Sequence, residues 1–438
     1  MKRNYALLAA ISFFVFMSSG ALTLGPVYTR SLGASYATIG VLSTLSSFVM
    51  VVFAVFWGRA SDLQQRRKGF LVGALGSNVV ITFLTSVVPS YQYLFPLRIL
   101  GGIAGAAYHV SSLALMGDIL AQRGAGRGWR MGAYRGLGSL GFAITAFLVK
   151  YLLGLTGLSG LYRLSAILLL AALAASLLLR EGPQAPETRE ALRPARFLRQ
   201  ATVATIAALR DTAIRMKAAL SGDSGRDLLA DERTPEEIAA APRLTLPIVP
   251  LLVAALLWSF SFTDLNSLWS NYMTESVGYD EGTVSQLWAL GAVLELPMMT
   301  LAGWLSDRVG RLAMLALSFA GWALVNLGYV LVPDMPWIIG IQILRSFAYS
   351  AYTATAMVYA TEVRGKAQRG QVSGLQSSAG GIGSILGNAA AGAIAQVAGF
   401  GLMIGSMIAV SLGGAAYLGH SALRQRARAR HVTPQERP

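Results

Sequence analysis

The chain has 438 residues, 54% hydrophobic and 13% charged, with a mean hydropathy of +0.54; a soluble globular protein carries about twice that charged fraction. It has no cysteine, which excludes disulfides and thiolate metal sites, and three histidines without an HExxH pattern or clustered acids leave little material for a metal enzyme, so no cofactor and no metal are expected. The formal net charge of +15 raises nucleic acid as a partner, a reading that the placement of the charges removes.

A membrane-spanning helix needs about 20 mostly apolar residues. Twelve stretches meet this requirement: 5–28, 36–57, 69–89, 91–117, 131–150, 161–180, 246–272, 283–302, 312–332, 337–360, 371–396 and 400–419. Lys2-Arg3 before the first stretch mimics a signal peptide. Its apolar run is too long for that and no small-residue cleavage site follows, so a retained first span is expected. The fold class is therefore all-α integral membrane, organised as a first group of six spans (1–180), a polar segment (181–245), a second group of six (246–420) and a basic tail (421–438). Within the polar segment, residues 197–220 place apolar residues on one helical face and Arg199, Arg210, Arg215 and Lys217 elsewhere. A helix lying on the membrane surface and a solvated linker helix are the two readings.

Orientation follows from the basic residues. With both termini inside, 30 of the 36 Lys and Arg fall in the tails, the central segment and the even-numbered loops. The outside keeps only Arg30, Lys150 and Arg163, and Arg98, Arg135 and Arg345 lie within spans. The basic excess thus serves topology and anionic lipid, not nucleic acid. A multi-pass inner-membrane protein with cytoplasmic termini is expected.

The two groups of six repeat one another. "GRASDLQQRR" (58–67) and "GWLSDRVGRL" (303–312) are 245 residues apart (303 − 58), Arg98 and Arg345 are 247 apart, and Asp118 and Glu362 are 244 apart. Gly132, Gly138 and Gly141 recur as Gly374, Gly380 and Gly383 at an offset of 242. A parallel repeat implies two similar six-helix bundles related by an axis along the membrane normal, with a cavity between them.

At this point the residues resemble the major facilitator superfamily, over essentially the whole chain. Its loop signature is matched by Gly303, Leu305, Asp307, Arg308, Gly310 and Arg311, with Leu312 departing, and in the first copy by Gly58, Asp62, Arg66 and Arg67, with Ala60, Leu63 and Gln65 departing. Residues 98–107 resemble its fourth-span signature through Arg98, Gly102 and Ala106, whereas the fifth-span antiporter signature is not met. Residues 278–297 resemble the branch of phenylpropionate permeases, nucleoside–proton symporters and lactose permease. The resemblance implies a secondary carrier working by alternating access, in which Gly58, Asp62, Arg66, Asp118, Gly303, Asp307, Arg308, Arg311 and Glu362 form a gate latch, one in each half. The plainer alternative is that these charges only stop translocation and fix topology.

Ionisable groups at bilayer depth mark a pathway or a buried pair by default. Glu295 in the eighth span is the candidate proton site, because burial disfavours an ionised carboxylate; it is grouped with Asp264, Arg98 and Arg345. A static ion pair with Arg345 is the alternative. Gln342, Arg345, Tyr349, Tyr352 and Tyr359 lie near one face of the tenth span, the arrangement of a cavity wall offering arginine to an anion or hydroxyl and tyrosine to a ring. His109 and Asn271 complete the expected cavity, and Trp258 and Trp269 are expected as interface anchors. The leading expectation is proton-coupled uptake of a small organic solute by a monomer. The alternative is a proton-driven multidrug or sugar efflux pump, and no enzyme activity is expected, since no nucleophile–base set, metal set or P-loop appears.

Overall fold

The computed structural model of the chain describes residues 2–64, 67–121, 127–180, 194–220, 247–331, 334–363 and 369–431. Among them every long element is a helix: α1 (Lys2–Ala21), α2 (Gly25–Ser31), α3 (Tyr36–Gln64), α4 (Arg67–Thr85), α5 (Leu94–Ala121), α6 (Arg127–Leu177), α7 (Pro194–Leu220), α8 (Ile248–Asn271), α9 (Glu281–Val309), α10 (Arg311–Leu331), α11 (Met335–Glu362) and α12 (Arg369–His431).

Nine helical stretches among the described residues are long and apolar enough to cross a membrane. Two of these, Tyr134–Leu177 and Gln371–Ala427, are double, because α6 and α12 are each broken at one glycine, Gly157 (φ 66°) and Gly399 (φ 77°). Only glycine adopts that left-handed backbone without strain, and the two breaks are 242 residues apart (399 − 157), the offset of the sequence repeat. The remaining expected span, α11, is not among the nine; it carries the polar Gln342 and Arg345. The first expected span, 5–28, is interrupted: Leu22–Leu24 form a turn and α2 begins beyond it. Pro26 explains the break, since proline lacks the N–H a helix interior needs but suits a first turn.

The described chain forms two compact units. The first comprises Met1–Leu209, Asn266–Val293 and Asn388–Val397, the second Arg210–Leu265, Leu294–Gly387 and Ala398–Pro438. The units therefore cut across the 1–180 and 246–420 division of the repeat. In the first unit, α1 packs on α6 around a core of Leu8, Ile11, Leu71, Leu75, Met116 and Leu169.

The repeat reappears as packing. A Cβ on Gly141 would lie 2.6 Å from the Phe13 carbonyl oxygen, and one on Gly383 would lie 2.1 Å from that of Leu256, 243 residues on (256 − 13). Close backbone approach through small residues is how membrane helices associate where no hydrophobic force separates them from lipid. Buried serine pairs repeat as well: Ser18 with Ser165 at 2.5 Å in the first unit, Ser261 with Ser411 at 2.9 Å in the second.

The amphipathic helix forms as α7. Ala201 is buried against Ala60, while Val203, Ile206 and Ile214 are exposed, the disposition of a helix with an apolar face turned to the membrane surface.

Glycines with and without neighbours should respond oppositely to alanine. Gly383→Ala should destabilise by about 1–3 kcal/mol through the clash at Leu256, whereas Gly73→Ala, whose Cβ meets nothing within 4 Å, should stabilise by about 0.5–1 kcal/mol. Thermal unfolding midpoints in detergent check both.

Candidate functional site

In the second unit, α8, α9, α10 and α11 bring together charged, polar and aromatic groups. Glu295 lies on α9, and the Arg345 guanidinium of α11 is the charge that acts on its carboxyl. Ser350 donates a 3.3 Å hydrogen bond to the Glu295 backbone carbonyl, tying α9 to α11 beside the pair. Arg345 is buried and donates to the Gln342 side-chain oxygen at 3.3 Å. These residues sit one turn apart on α11, so the helix itself sets the pairing.

Rings flank this polar strip. Tyr352 stacks on Trp258 with centroids 4.3 Å apart and planes 6° apart, and Tyr349 stacks on Phe262 at 5.2 Å and 25°. Trp322 closes the group at 5.2 Å from Trp258 and 5.5 Å from Phe262. The i, i+4 spacing on α8 and i, i+3 on α11 give two rings per helix on facing sides, and each stacked pair contributes about 0.5–1.5 kcal/mol beyond burial. Trp258 is thus a buried ring of this cluster, and Trp269 is buried too, against Trp288; neither is the interface anchor that its type suggests. Tyr352, Tyr349 and Phe262 keep part of their surface accessible. Trp322 Nε1 and Gln342 Nε2 are buried donors with no hydrogen-bond partner among the described residues, and such groups cost about 1–3 kcal/mol each when left unpaired. Tyr359, on the same face of α11, donates to the Pro247 carbonyl at 2.9 Å and belongs to packing.

The repeated turn is a charge network centred on arginine. Arg311 grips Glu362 with a two-pronged fork (2.8 and 3.0 Å) and donates to Asp307 at 2.6 Å and to Ser306 at 3.0 Å. Arg308 lies over the Trp304 ring, 3.7 Å from its centre. Gly310 between α9 and α10 has φ 93°, so the turn itself requires glycine. In the first copy Asp118 pairs with Arg67, and Arg67 also donates to the Ala114 carbonyl. The register explains this: Arg67 and Arg311 are 244 apart, as are Asp118 and Glu362. Arg66 and the side chains of Asp62 and Asp264 lie outside the described residues. Gly58 and Gly303 have open space where a Cβ would stand.

In the first unit, Arg98 acts electrostatically on Tyr162, and His109 is exposed midway along α5 with its ring edge-on to Tyr108. Asn271 belongs to the first unit. It donates to Glu275 at 3.1 Å, in a network on the side opposite the repeated turn. There Tyr36 donates to Glu275 at 2.6 Å, Arg30 pairs with Glu275 at 3.7 Å and covers the Tyr36 ring. Thr23 bonds Ser285, Ser285 donates to the Ala146 carbonyl, and Lys150 reaches Thr283. The Thr283 hydroxyl, aided by backbone amides and Lys150 against partial burial, holds the Asp280 carboxyl below the usual carboxylate range. Sequence reasoning missed this network. The visible signal was that Arg30 and Lys150 are two of only three cations expected outside, and both are engaged in it.

A polytopic helical chain with charged side chains inside apolar spans and a charged turn written twice has the architecture of a multi-pass membrane protein. The chain belongs to the MFS_1 like family, which matches residues 5–403. It is 30% identical over 152 residues to the uncharacterized transporter YwbF of Bacillus subtilis (strain 168), an alignment covering 34% of this chain and 36% of that one; the chain spans well under half the length of the curated relatives it matches. The fold matches the nucleoside transporter NupG with a TM-score of 0.69, at 16% identity over 98% of this chain and 99% of that one. It also matches a POT family transporter in complex with 5-aminolevulinic acid, with a TM-score of 0.70 at 13% identity over 97% and 96%.

Glu275 is the hub of the missed network, so Glu275→Gln should loosen it locally. In the otherwise cysteine-free chain, a thiol introduced by Ala34→Cys, where Ala34 is buried beside Arg30, should react with a soluble maleimide about tenfold faster in the Glu275→Gln background, corresponding to about 1.4 kcal/mol. Equal rates would remove Glu275 from that role.

Proposed function

We propose that this transporter takes up a small organic anion bearing an apolar or ring portion, together with protons, by exposing its binding site to the two sides of the membrane in turn. The observation that carries this reading is Glu295 on α9 and buried Arg345 on α11, helices joined by the Ser350 bond to the Glu295 carbonyl and near enough for the guanidinium to act on the carboxyl, set against stacked rings. Arg345 supplies the positive charge for a carboxylate or similar group. Trp322 Nε1 and Gln342 Nε2 supply donors that the protein leaves unmatched, and Tyr349 and Tyr352 offer ring faces. The solute thereby completes hydrogen bonds that are incomplete without it, which ties binding to a specific polar group.

Proton coupling follows from competition at Arg345. A carboxylate on Glu295 and an anionic solute both seek the same guanidinium. Protonating Glu295 frees Arg345 for the solute, and release of the proton restores the pair. A ligand shifts a two-state protein only by its differential affinity for the states, and exchange of partners at one buried arginine provides such a difference. The Arg311–Asp307–Glu362 and Arg67–Asp118 networks act in this reading as the latch on the side expected to be cytoplasmic. They are partly exposed, so each contributes a modest bias and not a lock. The resemblance of residues 278–297 to proton symporters and the unmet antiporter signature support uptake over efflux.

The test is purified protein in liposomes. A thermal-shift screen of organic acids, nucleosides and sugars identifies a ligand, and uptake of that ligand is then driven by an imposed pH gradient. Glu295→Gln should abolish gradient-driven accumulation while leaving solute counterflow intact. Arg345→Gln should weaken solute binding by at least about thirtyfold, the lower end for losing one partner of a buried charge pair. Undiminished accumulation by Glu295→Gln would refute the proton assignment, and accumulation only against the opposite gradient would favour efflux.

A further inference from the structure

A second concavity lies apart from the polar–aromatic group, wholly within the first unit. It is an apolar trough of about 740 Å³, floored by α4, walled by α5 and by Trp57 of α3, and met by Leu198 of α7. Its floor runs from Gly69 to Leu84, fifteen residues (84 − 69), which is about 22 Å of helix and most of the roughly 30 Å hydrocarbon thickness.

The floor is made of glycine: Gly69, Gly73 and Gly76 all line it. Gly141 and Gly383 admit a neighbouring backbone, but a Cβ at any of these three would meet nothing within 4 Å. Each glycine costs about 0.5–1 kcal/mol of helix stability relative to alanine, and no described residue occupies the space so created. A void in a membrane-spanning surface is filled by what surrounds it, and what surrounds it is lipid.

The trough has one charged end. Arg67 and Lys68 precede Gly69, Arg59 follows Trp57 by two residues, and Arg199 follows Leu198. Asp118 engages Arg67, and Lys68 caps the carbonyls of Leu177 and Leu179, while Arg59 and Arg199 are exposed. This cationic end is the end of the repeated turn, where α7 rests on Ala60 with Val203 and Ile206 exposed. We infer that the trough holds an acyl chain of one anionic phospholipid, its phosphate headgroup at the Arg59, Lys68 and Arg199 end. The glycine floor gives the chain a smooth bed, Leu198 closes over it, and the cations select the headgroup. A second copy of this protein fits less well, because a symmetric contact would set one concave patch against another and fill neither.

The experiment is native mass spectrometry of the full chain, equilibrated with phosphatidylglycerol and phosphatidylethanolamine of identical acyl chains. The wild type should retain one phosphatidylglycerol in preference. Gly73→Leu, which fills the trough where there is room for a side chain, should lower that retention about tenfold, corresponding to about 1.4 kcal/mol; Gly76→Leu replaces it should Gly73→Leu melt below wild type. The double variant Arg59→Gln with Arg199→Gln should keep a bound lipid but lose the headgroup preference. Equal retention of the two lipids by the wild type would overturn the inference, as would unchanged retention in a trough-filling variant that melts normally. Disulfide trapping of a Gly73→Cys dimer in vesicles would show instead that a second copy occupies the trough.

Discussion

A polar group taken into hydrocarbon must find its partner within the protein, and the chain is organised around that requirement. Arg345 is buried with Gln342 and acts on Glu295, and serines pair across helices at matching places in the two halves of the sequence. Among the described residues Trp322 Nε1 and Gln342 Nε2 are left without a partner, as are Ser61, Thr145 and Asn326 atoms elsewhere, but these two lie together in the polar–aromatic group. The solute site proposed above makes use of those two donors.

The same chemistry is graded by depth. At the repeated turn, Arg311 gathers Asp307, Glu362 and Ser306 where water still reaches the carboxylates, so the network can form and part at modest cost. In the first unit, Glu275 and Lys150 anchor another set of contacts. In the first unit, a glycine floor leaves a trough that no described side chain fills.

Much of this was legible in the sequence. Twelve spans, the duplicated turn and the glycine offset are carried by local composition and by repetition, and repetition survives whatever the tertiary fold adds. Gly141 and Gly383 show why: the spacing that made them visible is the spacing at which two backbones touch. What could not be read were partners chosen by rotation about a helix axis. Arg66 and Arg67 are equivalent on paper, and only the register places Arg67 on Asp118. Asn271 and Trp258 have the composition of a cavity wall and of an interface anchor, yet the first joins Glu275 and the second stacks on Tyr352. The break before Pro26 was written in the sequence and outweighed by the apolar run around it. The α4 glycines signal close packing by type, and only the structure shows that no described residue packs there.

The central claim is that the Glu295 carboxyl gains and loses a proton as Arg345 exchanges partners. Infrared difference spectroscopy of the protein in lipid, comparing acidic with alkaline buffer and ligand-free with ligand-bound states, observes that carboxyl directly. The account predicts a protonated-carboxyl band that appears on acidification, grows when solute binds, and is absent from Glu295→Gln. Spectra of the wild type and of Glu295→Gln that coincide in this region would contradict it.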